Sequence, residues 1–282
     1  SIKKKDWGAA PASMKTGTTQ PNAWGLYDMH GNAEEWCSDW YGLYPKSPQT
    51  DPVGCAEGLF KVSRSGSVHT APFYLRSANR MGTLPQDKHW LIGFRVVMGE
   101  APDTKPLPKP APAKWAENVG SQLSDWTKRP DPAKPYFEGP IVFQKVPPGS
   151  DGPLYYKHNH CSAITWCDNG DLLAVWFSCR TEAGREMTIL GSRLKTGSSG
   201  WSEPDIFFGP PDRNTTGSAL LNDGKGRLYF FNGLGVGQGW QVNLALAMRI
   251  STDNGATWSI PVLINSERNN PEALNQPIAS AF

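Results

Sequence analysis

The chain has 282 residues and a formal net charge of +2 at neutral pH, which leaves room for two ordinary domains and gives nucleic acid or an anionic membrane no strong electrostatic hold. Only 19% of residues are charged, while Gly (29), Pro (25) and Trp (12) are abundant; that mix suits short strands and tight turns rather than helix bundles. No run of about 18 apolar residues occurs, so no membrane span is expected, and Ser1-Ile-Lys-Lys-Lys5 lacks the apolar stretch of a signal peptide.

The first distinctive stretch is Pro21-Asn-Ala-Trp-Gly-Leu-Tyr-Asp-Met-His-Gly-Asn-Ala-Glu-Glu-Trp-Cys-Ser-Asp-Trp-Tyr41. Lys61-Val-Ser-Arg-Ser-Gly-Ser-Val68, Leu75-Arg-Ser-Ala-Asn-Arg80 and Ile92-Gly-Phe-Arg-Val-Val97 follow. These pieces, in this order, resemble the C-terminal part of the formylglycine-generating enzymes (sulfatase-modifying factors), over residues 1–99. The resemblance implies an irregular α+β fold related to C-type lectins. Active members carry two copper-binding cysteines five residues apart, because copper and O₂ chemistry need soft thiolates. The matching positions here are Thr70 and Leu75, so neither copper nor formylglycine formation is expected. The family also holds a calcium in a turn whose ligands map onto the Asp28 side chain, the Gly31 and Ala33 carbonyls and the Glu35 side chain, and hard oxygen donors suit that ion. The alternative is a metal-free turn with Glu35 paired to an arginine such as Arg95. Five cysteines (Cys37, Cys55, Cys161, Cys167, Cys179) fit no zinc spacing. A Cys37–Cys55 bridge is one pairing open to them.

Residues 100–135 form a linker and connector. Prolines 102, 106, 108, 110 and 112 fix φ and remove amide donors, so an extended, semi-rigid spacer is expected there.

From 136 to 282 the sequence repeats. Asn169-Gly-Asp-Leu-Leu-Ala-Val-Trp176 answers to Gly224-Lys-Gly-Arg-Leu-Tyr-Phe-Phe231, and Trp201-Ser-Glu-Pro204 to Trp258-Ser-Ile-Pro261, 57 residues later. Strands are expected at Leu172–Phe177, Met187–Leu194 and Asp205–Phe208, and again at Leu228–Phe231, Leu244–Ile250 and Val262–Ile264. Several short strands per fixed period predict propeller blades. The reading is an all-β propeller begun by two blades, with the start of a third at Asn275–Phe282 and further blades beyond it. Ser251-Thr-Asp-Asn-Gly-Ala-Thr-Trp258 resembles the Asp-box of the bacterial neuraminidase repeat. Asp253 can accept turn amides and Gly255 permits positive φ, so a structural role is expected.

The resemblance to sialidase-like propellers implies a carbohydrate-active, exported protein, extracellular or periplasmic, with a carbohydrate ligand. Sialidases open the inner strand with an arginine, where this chain reads His160-Cys161-Ser162, and follow the hairpin with an acidic Asp, absent from Ser178–Glu186. The candidates for chemistry are His158, His160, Arg180, Glu182, Arg185 and Glu186: a histidine pair beside charged groups suits acid/base work, and a Glu pair suits glycoside cleavage. The functional readings are a glycoside hydrolase-type module or a non-catalytic glycan- or protein-binding module.

Overall fold

Polar side chains sit at the centre of the first sheet. Glu34 and Ser63 are buried on neighbouring strands, and the Ser63 hydroxyl donates to the Glu34 carboxylate at 3.2 Å. The structure is a computed structural model describing residues 13–121, 133, 145–235 and 244–265. It divides into two units along the sequence between Lys109 and Pro110.

The first unit contains β1 (Glu34–Trp40), β2 (Lys61–Arg64), β3 (Met81–Thr83) and β4 (Ile92–Gly93), in the order β3-β2-β1-β4. Strands β2 and β3 continue β1 antiparallel, and β4 joins it in parallel. Val62, Met81, Leu84 and Leu91 form the apolar core. The α+β expectation is met only on its strand side: among the described residues this unit has no α-helix, only a short 3₁₀ turn at Pro72–Tyr74. Its connections are rich in Gly, Pro and Asp, which favour turns over helix. Cys37 and Cys55 are both free thiols; Cys55 is instead engaged through its backbone with Trp40 and Leu107.

The proline-rich segment does more than space the units. Leu107, between two prolines, retains its own N–H and donates it to the Gly54 carbonyl at 2.9 Å, while its carbonyl accepts the Ala56 N–H. Past the last proline, Lys114–Ala116 makes a 3₁₀ turn that buries Trp115 in the second unit.

The second unit holds two four-stranded antiparallel meanders. Strands β5 (His158–Trp166), β6 (Leu172–Cys179), β7 (Thr188–Leu194) and β8 (Asp205–Phe208) form one, and β9 (Thr215–Asn222), β10 (Leu228–Leu234), β11 (Ala245–Ser251) and β12 (Val262–Asn265) the other. Their first strands, β5 and β9, lie against each other, as the inner strands of neighbouring blades do. Both faces of β6 and β7 are buried; Leu172–Phe177 of β6 accordingly runs apolar without alternation, while Thr188, Ser192 and Arg193 of β7 are buried with hydrogen-bond partners. Strand β10 outlasts the expected apolar run because Asn232, fully buried, donates to the Thr216 carbonyl at 2.8 Å and accepts from the Thr215 hydroxyl. Strand β9, built from Thr-Thr-Gly-Ser and two leucines, was not expected by hydropathy. The third-blade segment lies outside the described residues.

The Asp-box closes the β11–β12 turn. Asp253 accepts the Thr257 amide (2.9 Å) and hydroxyl (2.6 Å), and Ser251 donates to it at 2.7 Å. Burial alone would raise the Asp253 carboxyl, but the bonds from Thr257 and Ser251 outweigh it and hold it below 3.8. Gly255 has φ +77°, and Trp258 rests on Phe207 and Phe230 with ring centroids 5.3 and 6.3 Å away.

Arg193 of β7 is fully buried. It donates to the Trp115 carbonyl (2.8 Å), the Asp171 carboxylate (3.1 Å) and the Asn254 carbonyl of the Asp-box (2.7 Å). It thus ties the first blade's hairpin, the post-linker anchor and the second blade together. Arg249 occupies the equivalent place 56 residues later, donating to the Ser259, Trp258 and Phe207 carbonyls; burial pushes it down to about 10.

Two outcomes follow. Asp171→Ala strands a buried cation and is expected to cost about 3–5 kcal/mol in urea unfolding, with the double change Asp171→Leu/Arg193→Met costing less than the single one. Asp253 has a lowered carboxyl pKa, so its charge stabilises the fold above 3.8 and that contribution is lost as pH falls through the lower, folded value. The melting-temperature gap between wild type and Asp253→Asn should therefore be wide at pH 6 and narrow at about pH 3.

Candidate functional site

His158 and His160 stand two residues apart on β5, so both side chains leave the same face of the strand. Phe177 of β6 lies beside both rings, with centroids 5.8 and 4.2 Å away. Between His160 and Ala163 the β5–β6 register slips by one residue, and Cys161 takes φ +52°. A left-handed non-glycine residue costs on the order of 1–3 kcal/mol, and such bulges commonly re-aim side chains. Gly217 of β9 makes room for the bulge: a Cβ there would come within 3.0 Å of the Cys161 Cβ. The thiol lies 3.0 Å from His160 Nδ1.

Glu182, on the β6–β7 loop, completes the cluster. Its Oε1 is 2.5 Å from His160 Nε2 and 3.2 Å from His158 Nε2. Hydrogen bonding to His160, then to His158, holds the Glu182 carboxyl below its usual range. Burial, then the Glu182 charge, pushes the Cys161 thiol up, so it is not a ready nucleophile.

The other three candidates serve the loop. Glu186 Oε1 accepts the amides of Arg180 (3.0 Å) and Thr181 (3.3 Å). Arg185 is buried and donates to the Asp212 carbonyl and carboxylate at 2.9 and 2.8 Å. Arg180 leans over Tyr156 and pairs with exposed Asp151. Asn214, fully buried, clamps the loop from the neighbouring blade by donating to the Glu182 and Gly184 carbonyls (2.7 and 2.8 Å). The histidine pair and Glu182 are among the residues expected from sequence; Cys161, Phe177 and Asn214 are not. The His-x-His spacing was the local signal; nothing local marks Asn214, 32 residues from Glu182.

This cluster and the Asp-box lie at opposite ends of the meanders. His158 starts β5 opposite Cys179, where β6 ends, whereas the Asp-box follows the end of β11, opposite the start of β10.

In the first unit, Asp28, Gly31, Ala33 and Glu35 all line one cleft of about 460 Å³. Both Asp28 oxygens are engaged, one by the Gly17 amide and one by the Thr19 hydroxyl, and the former, ahead of the latter, lowers its pKa. Arg95 grips both Glu35 oxygens at 2.7 and 3.0 Å and donates to the Tyr27 carbonyl. In this arrangement the positive charge at the turn comes from Arg95, and both Glu35 oxygens already have a partner. Thr70 and Leu75 converge on Gly66, where a Cβ would come within 3.0 Å of both side chains. Neither offers a thiolate to copper.

Residues 3–99 match the sulfatase-modifying factor enzyme 1-like domain and residues 170–276 the BNR repeat-like domain. The chain carries a formylglycine-generating-enzyme-like domain followed by a BNR repeat-like region. A serine/threonine-protein kinase pkn1 of Chlamydia pneumoniae is 43% identical over 79 residues, 27% of this chain and 13% of the kinase. The formylglycine-generating enzyme of Streptomyces coelicolor is 38% identical over 81 residues (27% and 26%), and that of Bos taurus 34% over 88 (30% and 24%). The chain thus spans about an eighth of the kinase and a quarter of the enzymes. Because relatives of such different names share the stretch, it identifies a domain rather than an activity. Among solved structures, the Hadza microbial sialidase Hz136 aligns with TM-score 0.33 and 20% identity, over 39% of this chain and 26% of its own. Among the described residues, no helix is long and apolar enough to cross a membrane.

The Arg95 closure has a direct consequence. Isothermal titration with millimolar calcium is expected to give no binding heat; saturable uptake of one ion per chain, lost in Glu35→Gln, would contradict it.

Proposed function

We propose that this chain is a carbohydrate-directed module of sialidase type whose working end carries His158, His160 and Glu182. One observation carries the reading: two imidazoles converge on one carboxylate over a bulged inner strand, at the end of the blades away from the Asp-box. The side chains are between a third and a half exposed, so a ligand can reach them. Imidazole and carboxylate together offer donors and acceptors for sugar hydroxyls, and Phe177 supplies the adjoining apolar surface.

Recognition fits this geometry better than hydrolysis. Cleavage with two carboxyl groups needs them about 5–9.5 Å apart across the glycosidic bond. Glu186, the second glutamate expected from sequence, is committed to the Arg180 and Thr181 amides. Formylglycine formation is no part of the proposal, since Thr70 and Leu75 stand where thiolates are required. An exported setting, extracellular or periplasmic, rests on the two family resemblances alone.

The test is titration of the full chain with sialyllactose and with a glucuronate-bearing oligosaccharide. Saturable binding is expected, weakened at least about tenfold by Glu182→Gln or His160→Ala, that is by about 1.4 kcal/mol, with no fluorophore released from a sialoside. Absence of binding to either sugar, or equal binding by the variants, overturns the reading, and fluorophore release would replace it with hydrolysis.

A further inference from the structure

The same three side chains form a ligand set for a metal ion, an inference independent of any glycan. His158 Nε2, His160 Nε2 and Glu182 Oε1 lie within 4.8 Å of one another. A tetrahedral zinc ion with bonds of about 2.0–2.2 Å keeps its donors roughly 3.3 Å apart. The His158–Glu182 distance of 3.2 Å already matches; the His160–Glu182 contact of 2.5 Å opens by about 0.8 Å and the two imidazole nitrogens, within 4.8 Å of each other, settle at the same spacing when the ion is held.

The surroundings are those of a built site. His-x-His puts both side chains on one strand face, where both Nε2 atoms meet Glu182 Oε1, and Phe177 packs beside both rings. The carboxylate sits on a loop fastened by Asn214, Arg185 and Glu186. A metal-bound imidazole usually engages its second nitrogen with a neighbour; His160 Nδ1 has the Cys161 sulfur at 3.0 Å, placed by the strained bulge. Two imidazoles and one carboxylate suit zinc and its transition-metal neighbours and disfavour calcium or magnesium, which take all-oxygen shells.

We infer that His158, His160 and Glu182 bind a zinc-class divalent ion, with the fourth coordination position open to solvent. Three protein ligands with one open position is the arrangement in which zinc holds a water or a ligand oxygen.

The experiment uses the full chain stripped with chelator and titrated with zinc alone against a chromophoric indicator, with cobalt as a spectroscopic substitute. One ion per chain is expected, with visible cobalt absorption of a four-coordinate site. His158→Ala, His160→Ala and Glu182→Gln should each weaken zinc binding at least about tenfold. The controls His30→Ala and Cys37→Ser should bind as wild type. Zinc should raise the melting temperature of wild type and not that of Glu182→Gln, while the metal-free forms melt alike, which separates lost binding from lost folding. No zinc uptake, wild-type affinity in the three ligand variants, or loss of binding in either control overturns the assignment. Because no sugar is present, the result is read separately from the carbohydrate titration.

Discussion

A buried guanidinium must find acceptors for its donors, and Arg193 finds them in three separate parts of the chain. An unpaired charge removed from water costs several kcal/mol, so Trp115, Asp171 and Asn254 must all be in place for this side chain to sit where it does. The consequence is order at a distance: the hairpin before β6, the anchor after the prolines and the Asp-box of the next blade share one cation. Gly255 is part of the same constraint. A Cβ there would come 3.0 Å from the Arg193 guanidinium, so the turn's glycine clears the approach as well as supplying positive φ. Arg249 repeats the device one blade on, reaching back to the Phe207 carbonyl of β8.

These devices gather the rigid contacts at one end of the blades and leave the other end free to hold exposed polar groups. The division is physical. The Asp-box end is closed by hydrogen bonds within each turn and by the aromatic contacts of Trp115, Phe207, Phe230 and Trp258. At the opposite end the β6–β7 loop is held by Asn214 and Arg185 through its backbone and a neighbouring loop, which fixes Glu182 while leaving its carboxylate accessible. Strain at Cys161 is tolerated because the β5–β6 ladder resumes on both sides of the bulge.

The first unit matches the sulfatase-modifying factor enzyme 1-like domain in sequence, with Thr70 and Leu75 at the two positions where the resemblance implies thiolates. Thr70 and Leu75 still meet over Gly66, but as a hydroxyl that accepts the Ser67 amide at 2.9 Å and an alkyl group. Arg95 brings positive charge to Glu35 of the 28–35 turn from within the chain. A protein can retain such a domain for its surface rather than its chemistry, because fold and activity are separable.

Local pattern was enough to read the repeat, the Asp-box and most strands, because Gly turns, apolar runs and the Trp-Ser-x-Pro recurrence are properties of neighbouring residues. It also placed His158, His160 and Glu182 among six candidates, beside Arg180, Arg185 and Glu186, and excluded thiolates from positions 70 and 75. It could not extend β10 through Asn232 or find β9, since both depend on polar groups whose partners lie on another strand. Nor could it fix Arg95 as the partner of Glu35, or separate Glu182 from Glu186. Those outcomes were decided by contacts between residues 60 and 5 positions apart that only the folded chain brings within hydrogen-bonding reach. Composition and periodicity determine which segments become strands and turns; which charged group stands exposed beside the histidines and which braces a loop is settled by where the tertiary structure places its partner.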